Sequence, residues 1–230
     1  MHPASSDGPR SPWTCILWDV DGTIVDGSVA ILKRLALTLE HFGRPPVQRE
    51  ELAHWIGPPM FLSFQQNVGM TPEKASEAVA FYRSLSKQEG YTAGARVYPG
   101  VGELIAEIHA AGIPQATASS KPENQVVALM DFFGLDGDFT TIAGASPDEK
   151  TLGAKADIVA EALRRLDAAG VDTSRPVLIG DRHHDIEGGG ANDVPVIFVR
   201  WGFSWPYEEA GAQAAVDDVD QLRALLLVAA

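Results

Sequence analysis

One cysteine in 230 residues rules out any disulfide within the chain. A lone Cys15 fits a reducing compartment, and the cytoplasm is the expected location. No apolar run approaches the ~18 residues of a membrane span, so no membrane partner is expected. Residues 1–12 lack the apolar core of a secretory signal, carry Pro3, Pro9 and Pro12, and read as a loose tail. Positive charge is also scarce: 18 Lys and Arg against 31 Asp and Glu leave a net charge of −13. A field of that sign repels a nucleic-acid backbone, which argues against a nucleic-acid polymer as partner. What remains is an ordinary globular balance, 45% hydrophobic and 21% charged. A chain of this length buries a full core without disulfides or a structural metal.

Short apolar runs alternate with helical patterns. Thr14-Cys15-Ile16-Leu17-Trp18 reads as a buried strand that stops at Asp19-Val20-Asp21-Gly22-Thr23. A helical block follows, with Val29, Leu32, Leu35, Ala36 and Leu39 at helical spacing in Ser28 to Phe42. Further helices are expected near 48–55, 60–67 and 71–89, the last signalled by Thr71 as N-cap and Pro72 at the first helical position. After Tyr98-Pro99-Gly100 strands and helices alternate: helices over 101–111, 123–133, 155–168 and 219–228, strands over 113–118, 140–143, 176–180, 194–199 and 214–216. Repeated βα units imply a doubly wound parallel sheet with right-handed crossovers, an α/β fold. The expected organisation is a tail (1–12), an α/β core (13–25 and 96–230) and an all-helical cap (26–95) inserted after the first strand. That insertion falls at the sheet edge where open α/β proteins bind ligands.

Two carboxylate pairs sit at such strand ends. Asp19 and Asp21 lie two apart, so an extended backbone points both to one side. They repel each other unless a cation or a shared proton holds them. Asp181 and Asp185, in Gly180-Asp181-Arg182-His183-His184-Asp185, are separated by about one helical turn and offer hard oxygen ligands suited to Mg²⁺. Taken singly, the first pair also fits an Asp-Gly turn and the second an N-cap with a surface acid. Ser119 ends another strand and Ser120 follows it ahead of a helix N-terminus, a place that cradles phosphate. Ser120 to Glu123 also fits a capping box. Lys155 opens a helix, where a cation opposes the macrodipole unless an anion is near; a solvated lysine is the alternative, and Lys150 is a competing candidate.

In this order and at these intervals, Asp19-x-Asp21-Gly22-Thr23, Ser119, Lys155 and Gly180-Asp181-x-x-x-Asp185 resemble the four motifs of the haloacid dehalogenase-like hydrolase superfamily. The likeness covers nearly the whole chain and points to its phosphoglycolate phosphatase-like and nucleotide 5′-phosphatase-like branch. It implies Asp19 as nucleophile, forming an aspartyl-phosphate, and Asp21 as general acid/base. Ser119, Ser120 and Lys155 are then phosphate-binding. Mg²⁺ is then held by the Asp19 carboxylate, the Asp21 backbone carbonyl and Asp181, with Asp185 in support. The superfamily's dehalogenases typically lack the acid at the position of Asp21, which favours phosphoryl transfer. The implied partner is a small-molecule phosphate ester. A sugar-phosphate mutase and a non-catalytic phosphate- or partner-binding module are the alternatives, and the oligomeric state is left open.

Other residues invite ligand roles that chemistry does not support. His183 and His184 are adjacent and lack a third nitrogen or sulfur ligand at useful spacing, so zinc is not expected. Cys15 reads as a small core residue. Trp55, Phe61, Phe64, Phe81 and Tyr82 read as core of the helical insert, and Arg83 and Lys87 as solvated helix charges. Ile56-Gly57-Pro58-Pro59 forms a rigid break between helices and resembles a substrate-facing segment of the phosphoglycolate phosphatase-like members.

Overall fold

The computed structural model describes residues 10–147, 152–205 and 207–228. Strand β1 (Cys15–Trp18) is followed by a two-residue strand, β2 (Val25–Asp26), and then four helices. These are α1 (Ser28–His41), α2 (Arg49–Ala53), α3 (Met60–Gln66) and α4 (Pro72–Glu89). The chain returns through β3 (Arg96–Val97), α5 (Val101–Ala110), β4 (Gln115–Thr117), β5 (Ser119–Pro122) and α6 (Glu123–Phe133). It continues through β6 (Gly144–Ala145), α7 (Lys155–Ala168), β7 (Pro176–Gly180) and α8 (His183–Gly190). The last elements are β8 (Val196–Val199), β9 (Ala214–Val216) and α9 (Val219–Leu226).

Five strands form a parallel sheet in the order β4-β1-β7-β8-β9. Alternation along β1 explains why the sequence there is apolar throughout. Ile16 and Trp18 join Leu104, Ile105 and Ile108 of α5 in one core, while Cys15 and Leu17 join Ile158, Val159, Ala162 and Leu166 of α7 in the other. Successive side chains point to opposite faces, and both faces are covered by helices. Each fully buried Leu or Ile contributes roughly 1.5–3 kcal/mol of burial free energy. Burial pushes the Cys15 thiol up to about 11, as befits an inert core residue.

The helical insert has its own core, built on Leu35, Trp55, Phe64, Ala78 and Tyr82. Thr71 caps α4 through its side chain, which accepts from the Lys74 amide, with Pro72 in the first turn. The buried face of α1 differs from the expected one. Ile31, Leu32, Leu35, Thr38, Leu39 and Arg34 face inward, whereas Val29 is 55% exposed and Ala36 also lies outside. The helix is turned so that a charged residue occupies part of the inner face.

Three expectations need correction. The two ends of the insert pair as an antiparallel β2–β3 ribbon, Val25 with Val97 and Asp26 with Arg96, where no strands were expected. Asp26 accepts from the Ser28 amide and from two Arg96 nitrogens, which hold its carboxyl below its ordinary value despite burial. The strand expected over 140–143 reduces to one bridge, Thr141 with Ala116, and the regular pairing falls instead on β6 with β5. The capping box is absent as well. Residues 119–122 are extended, Pro122 is the N-cap of α6 without a side-chain bond, and Glu123 accepts from the Gly144 amide. Residues 1–9 of the expected tail lie outside the described residues; Arg10 pairs in antiparallel fashion with Val228.

Candidate active site

The C-terminal ends of β1, β4 and β7 meet at one edge of the sheet. The Asp19 amide donates to the Ile179 carbonyl at 2.9 Å, and the Ala118 amide donates to the Trp18 carbonyl at 2.7 Å. Three strand ends are thereby locked together, and the residues that follow them converge.

Asp19, Asp181 and Asp185 are all buried, with ligand oxygens within 4.8 Å of one another. Lys155 stands among them at the first residue of α7. Its Nζ donates to Asp19 Oδ1 at 2.7 Å and lies 2.6 Å from Asp185 Oδ1. The anions that a cation at a helix start requires are therefore present. Asp185, in the first turn of α8, accepts from the Arg182 amide at 2.9 Å. Asp181 accepts from Thr23 Oγ1 at 3.3 Å and from the Phe203 amide at 2.7 Å. Two glycines make room for it: a Cβ on Gly22 (φ +91°) or on Gly202 would overlap the Asp181 carboxylate.

Electrostatics set the chemical character of this cluster. Burial pushes Asp19 up to about 6; Lys155 pulls it down and Asp185 pushes it up. Burial, then Asp185 and Asp19, raise Asp181 well above the usual carboxylate range. Lys155 is raised too: burial disfavours its charge, but Asp185 and Asp19 outweigh that. Three carboxylates against one ammonium leave two negative charges in excess when all are ionised. A divalent cation bound by hard oxygens fits this donor set and this deficit, and Mg²⁺ suits it chemically.

Asp21 does not join the three acids through its carboxylate. Its Oδ2 is 2.7 Å from Lys121 Nζ, and its Oδ1 is buried without a hydrogen-bond partner. Ser119 is 1% exposed and its hydroxyl accepts from the Lys121 amide at 3.3 Å. Ser120 borders both a cleft shared with Asp21, Tyr82 and Lys121 and a second hollow shared with Lys155. The first cleft is narrow and lined on the insert side by Gly57, Pro58 and Pro59, so the rigid break in the insert faces the acids' side of the core. Lys150 lies outside the described residues. His183 is exposed, and burial lowers the half-buried His184; neither belongs to the acid cluster. Of the insert charges, Lys87 is exposed, while Arg83 lines the cleft and hydrogen-bonds the Pro147 carbonyl.

Several neighbours carried no signal strong enough to single out. Lys121 stands within Ser120-Lys121-Pro122 but resembled any surface lysine. Arg182 and Glu208 form a buried ion pair at 2.8 Å. Arg182 also donates to the His54 and Ile56 carbonyls, tying the sheet edge to the insert. Glu208 is 26 residues from Arg182, so only folding shows the pair.

A parallel α/β core that gathers a buried carboxylate cluster at its strand ends, beside an inserted helical segment, defines the class of fold. The chain belongs to the haloacid dehalogenase-like hydrolase family, which residues 16–199 match. It is 34% identical over 200 residues to the tyrosine-protein kinase PtkA of Mycobacterium tuberculosis, covering 87% of this chain and 66% of that protein. The chain thus spans just under two thirds of the length of this relative. It is 32% identical to a 5′-nucleotidase of Pseudomonas aeruginosa (82% of this chain, 83% of that one). It is 31% identical to a phosphoglycolate phosphatase of Cupriavidus necator (94% of each). Among solved structures, a predicted phosphatase from Clostridium acetobutylicum superposes with a TM-score of 0.85 at 30% identity, covering 92% of this chain and 96% of that one.

Proposed function

We propose that this protein is a Mg²⁺-dependent phosphomonoesterase acting on a small phosphorylated metabolite through an aspartyl-phosphate on Asp19. The observation that carries the reading is the placement of Lys155 between Asp19 and Asp185 in a buried centre two positive charges short of neutral. Relatives named for phosphatase activity support it.

In this reading Asp19, the Asp21 backbone carbonyl and Asp181 hold Mg²⁺, with Asp185 supporting. When bound, the ion neutralises charge on the phosphoryl oxygens. Lys155 and the hydroxyls of Ser119 and Ser120 orient those oxygens. An Asp19 oxygen attacks phosphorus, the P–O ester bond breaks, and Asp21 gives its proton to the departing alkoxide. A water then attacks the acyl phosphate, Asp21 takes that water's proton, and phosphate and free Asp19 result. The cap over the sheet edge, about residues 26–95, excludes bulk water during the transfer. A phosphoglycolate-like ester and a nucleoside 5′-monophosphate are the two substrate types the relatives suggest. A cytoplasmic setting is part of the same reading and accords with the single cysteine of the sequence.

The test is phosphate release from a panel of esters with Mg²⁺ or with EDTA, for the wild type and Asp19→Asn. Release that requires Mg²⁺ and vanishes in Asp19→Asn supports the reading; release that persists in the variant overturns it. Transfer of phosphate between positions of one sugar, without release, would instead indicate a mutase.

A second reading, protein tyrosine phosphorylation, is favoured by the identity to PtkA across 87% of this chain. Labelled ATP and a tyrosine peptide distinguish it: the hydrolase reading predicts free phosphate and no phosphotyrosine.

A further inference from the structure

Arg34 of α1 is 4% exposed, and its Nε and Nη1 are shut off from solvent with no hydrogen-bond partner. A guanidinium cannot shed its charge in a protein, so its burial without an anion is costly. Contacts with Tyr82 offset only part of this. The guanidinium lies 5.5 Å from the centre of that ring, a contact that does not neutralise the charge. Nearby carboxylates do not supply the missing partner. Asp26 is engaged by Arg96; Asp21 turns its Oδ2 to Lys121, and its Oδ1, though unpartnered, makes no hydrogen bond or ion pair with Arg34.

Arg34 lines a chamber together with Asp21, Lys121, Ile31 and Tyr91. Asp21, Ile31 and Lys121 also border the larger cleft beneath Gly57 and Pro58, so the chamber and the cleft adjoin. Two cations, Arg34 and Lys121, therefore stand beside one carboxylate on the Asp21 side of the centre. That is the side where a group leaving Asp19's phosphorus must depart if Asp21 protonates it. Resting on the phosphatase reading of this site, we propose that Arg34 and Lys121 form a recognition site for a second anionic group carried on the leaving portion of the substrate. The substrate class is then a phosphate ester with a short anionic tail, either a carboxylate or a second phosphate. Both present oxygens that a planar guanidinium fork binds in a bidentate manner. A nucleoside leaving group, which is uncharged, does not meet this requirement.

The test has a binding arm that needs no turnover. Calorimetry with the Mg²⁺-loaded protein compares phosphonoacetate and methylenediphosphonate, which carry the two kinds of anionic tail, with methylphosphonate, which carries neither. At least one tailed phosphonate is expected to bind tenfold or more tighter than methylphosphonate, and which one does so selects carboxylate or phosphate. Arg34→Met should reduce that preference at least tenfold, and Arg34→Lys, which retains charge without the fork, should reduce it less. Equal affinity of all three ligands for the wild type overturns the proposal without reference to any variant. So does an Arg34→Met protein, folded by circular dichroism, that keeps the full preference. Hydrolysis of p-nitrophenyl phosphate is measured alongside: its absence counts against the phosphatase reading, while the binding contrast still decides the subsite.

Discussion

Lys155 Nζ stands 2.7 Å from Asp19 Oδ1, joining two residues 136 positions apart in sequence. This pair is the hinge of the functional account, because it holds the proposed nucleophile and brings the first turn of α7 to the end of β1. Replacing Lys155 with Met leaves three buried carboxylates without their ammonium. Phosphate release should fall by about 10²–10³-fold, the usual loss for removing one preorganised charge stabiliser. Steady-state kinetics with saturating Mg²⁺ checks this; a change of less than about tenfold would place the lysine outside the phosphoryl site.

The raised carboxylates predict opposite pH dependences for the metal-free and metal-bound protein. Asp19 moves from 3.8 up to about 6 on folding, and Asp181 is raised as well. Between those values the metal-free fold binds more protons than the unfolded chain, so its stability declines as pH rises through that window. Mg²⁺ competes with the same protons, so its stabilising effect should be small at pH ~5 and large at pH ~7.5. Thermal melts with MgCl₂ or EDTA at the two pH values test both signs.

Gly202→Ala probes the metal centre without replacing a proposed ligand. Its Cβ would overlap the Asp181 carboxylate, which the Phe203 amide holds at 2.7 Å. Mg²⁺ affinity should weaken by roughly 10–100-fold, as for other losses of ligand orientation. A metal titration followed by intrinsic fluorescence reads it, and unchanged affinity would mean that Asp181 is not a ligand.

Arg182 and Glu208 offer a test of how the insert is held to the core. Both are nearly buried, and Arg182 reaches the His54 and Ile56 carbonyls of the insert. Glu208→Gln leaves a buried guanidinium without its anion and should cost about 3 kcal/mol in urea denaturation. Limited proteolysis near residues 57–59 should accelerate in the variant, since Gly57 lies so close to the Arg182 side chain that there is no room for a Cβ.

Much of this architecture was legible in the sequence because burial on both sheet faces writes itself as apolar runs. Strands 176–180 and 214–216 and helices 123–133 and 155–168 fall where the pattern puts them. The β2–β3 ribbon was not legible, since two residues carry no periodicity. Asp19 and Asp181 stood out because each ends a strand, Asp185 because it follows one helical turn later, and Lys155 only through the likeness to the four motifs; the fold gathers all four. Lys121, Arg34 and the Arg182–Glu208 pair did not, for a different reason. Their significance lies in which charge they face, and spacing along the chain does not encode that. Arg34 was further hidden by reading the stripe of α1 through Val29 and Ala36, a rotation that puts the arginine outside.

The central claim is that phosphate passes through Asp19, and the most direct measurement is to trap it there. The protein is mixed with Mg²⁺ and its best ester, quenched in acid within one turnover, digested and analysed by mass spectrometry. The account predicts a phosphoryl group on the peptide containing Asp19, removed by hydroxylamine as an acyl phosphate is, and absent from Asp19→Asn. Phosphate release without that adduct at any quench time, or the same adduct in Asp19→Asn, would contradict it.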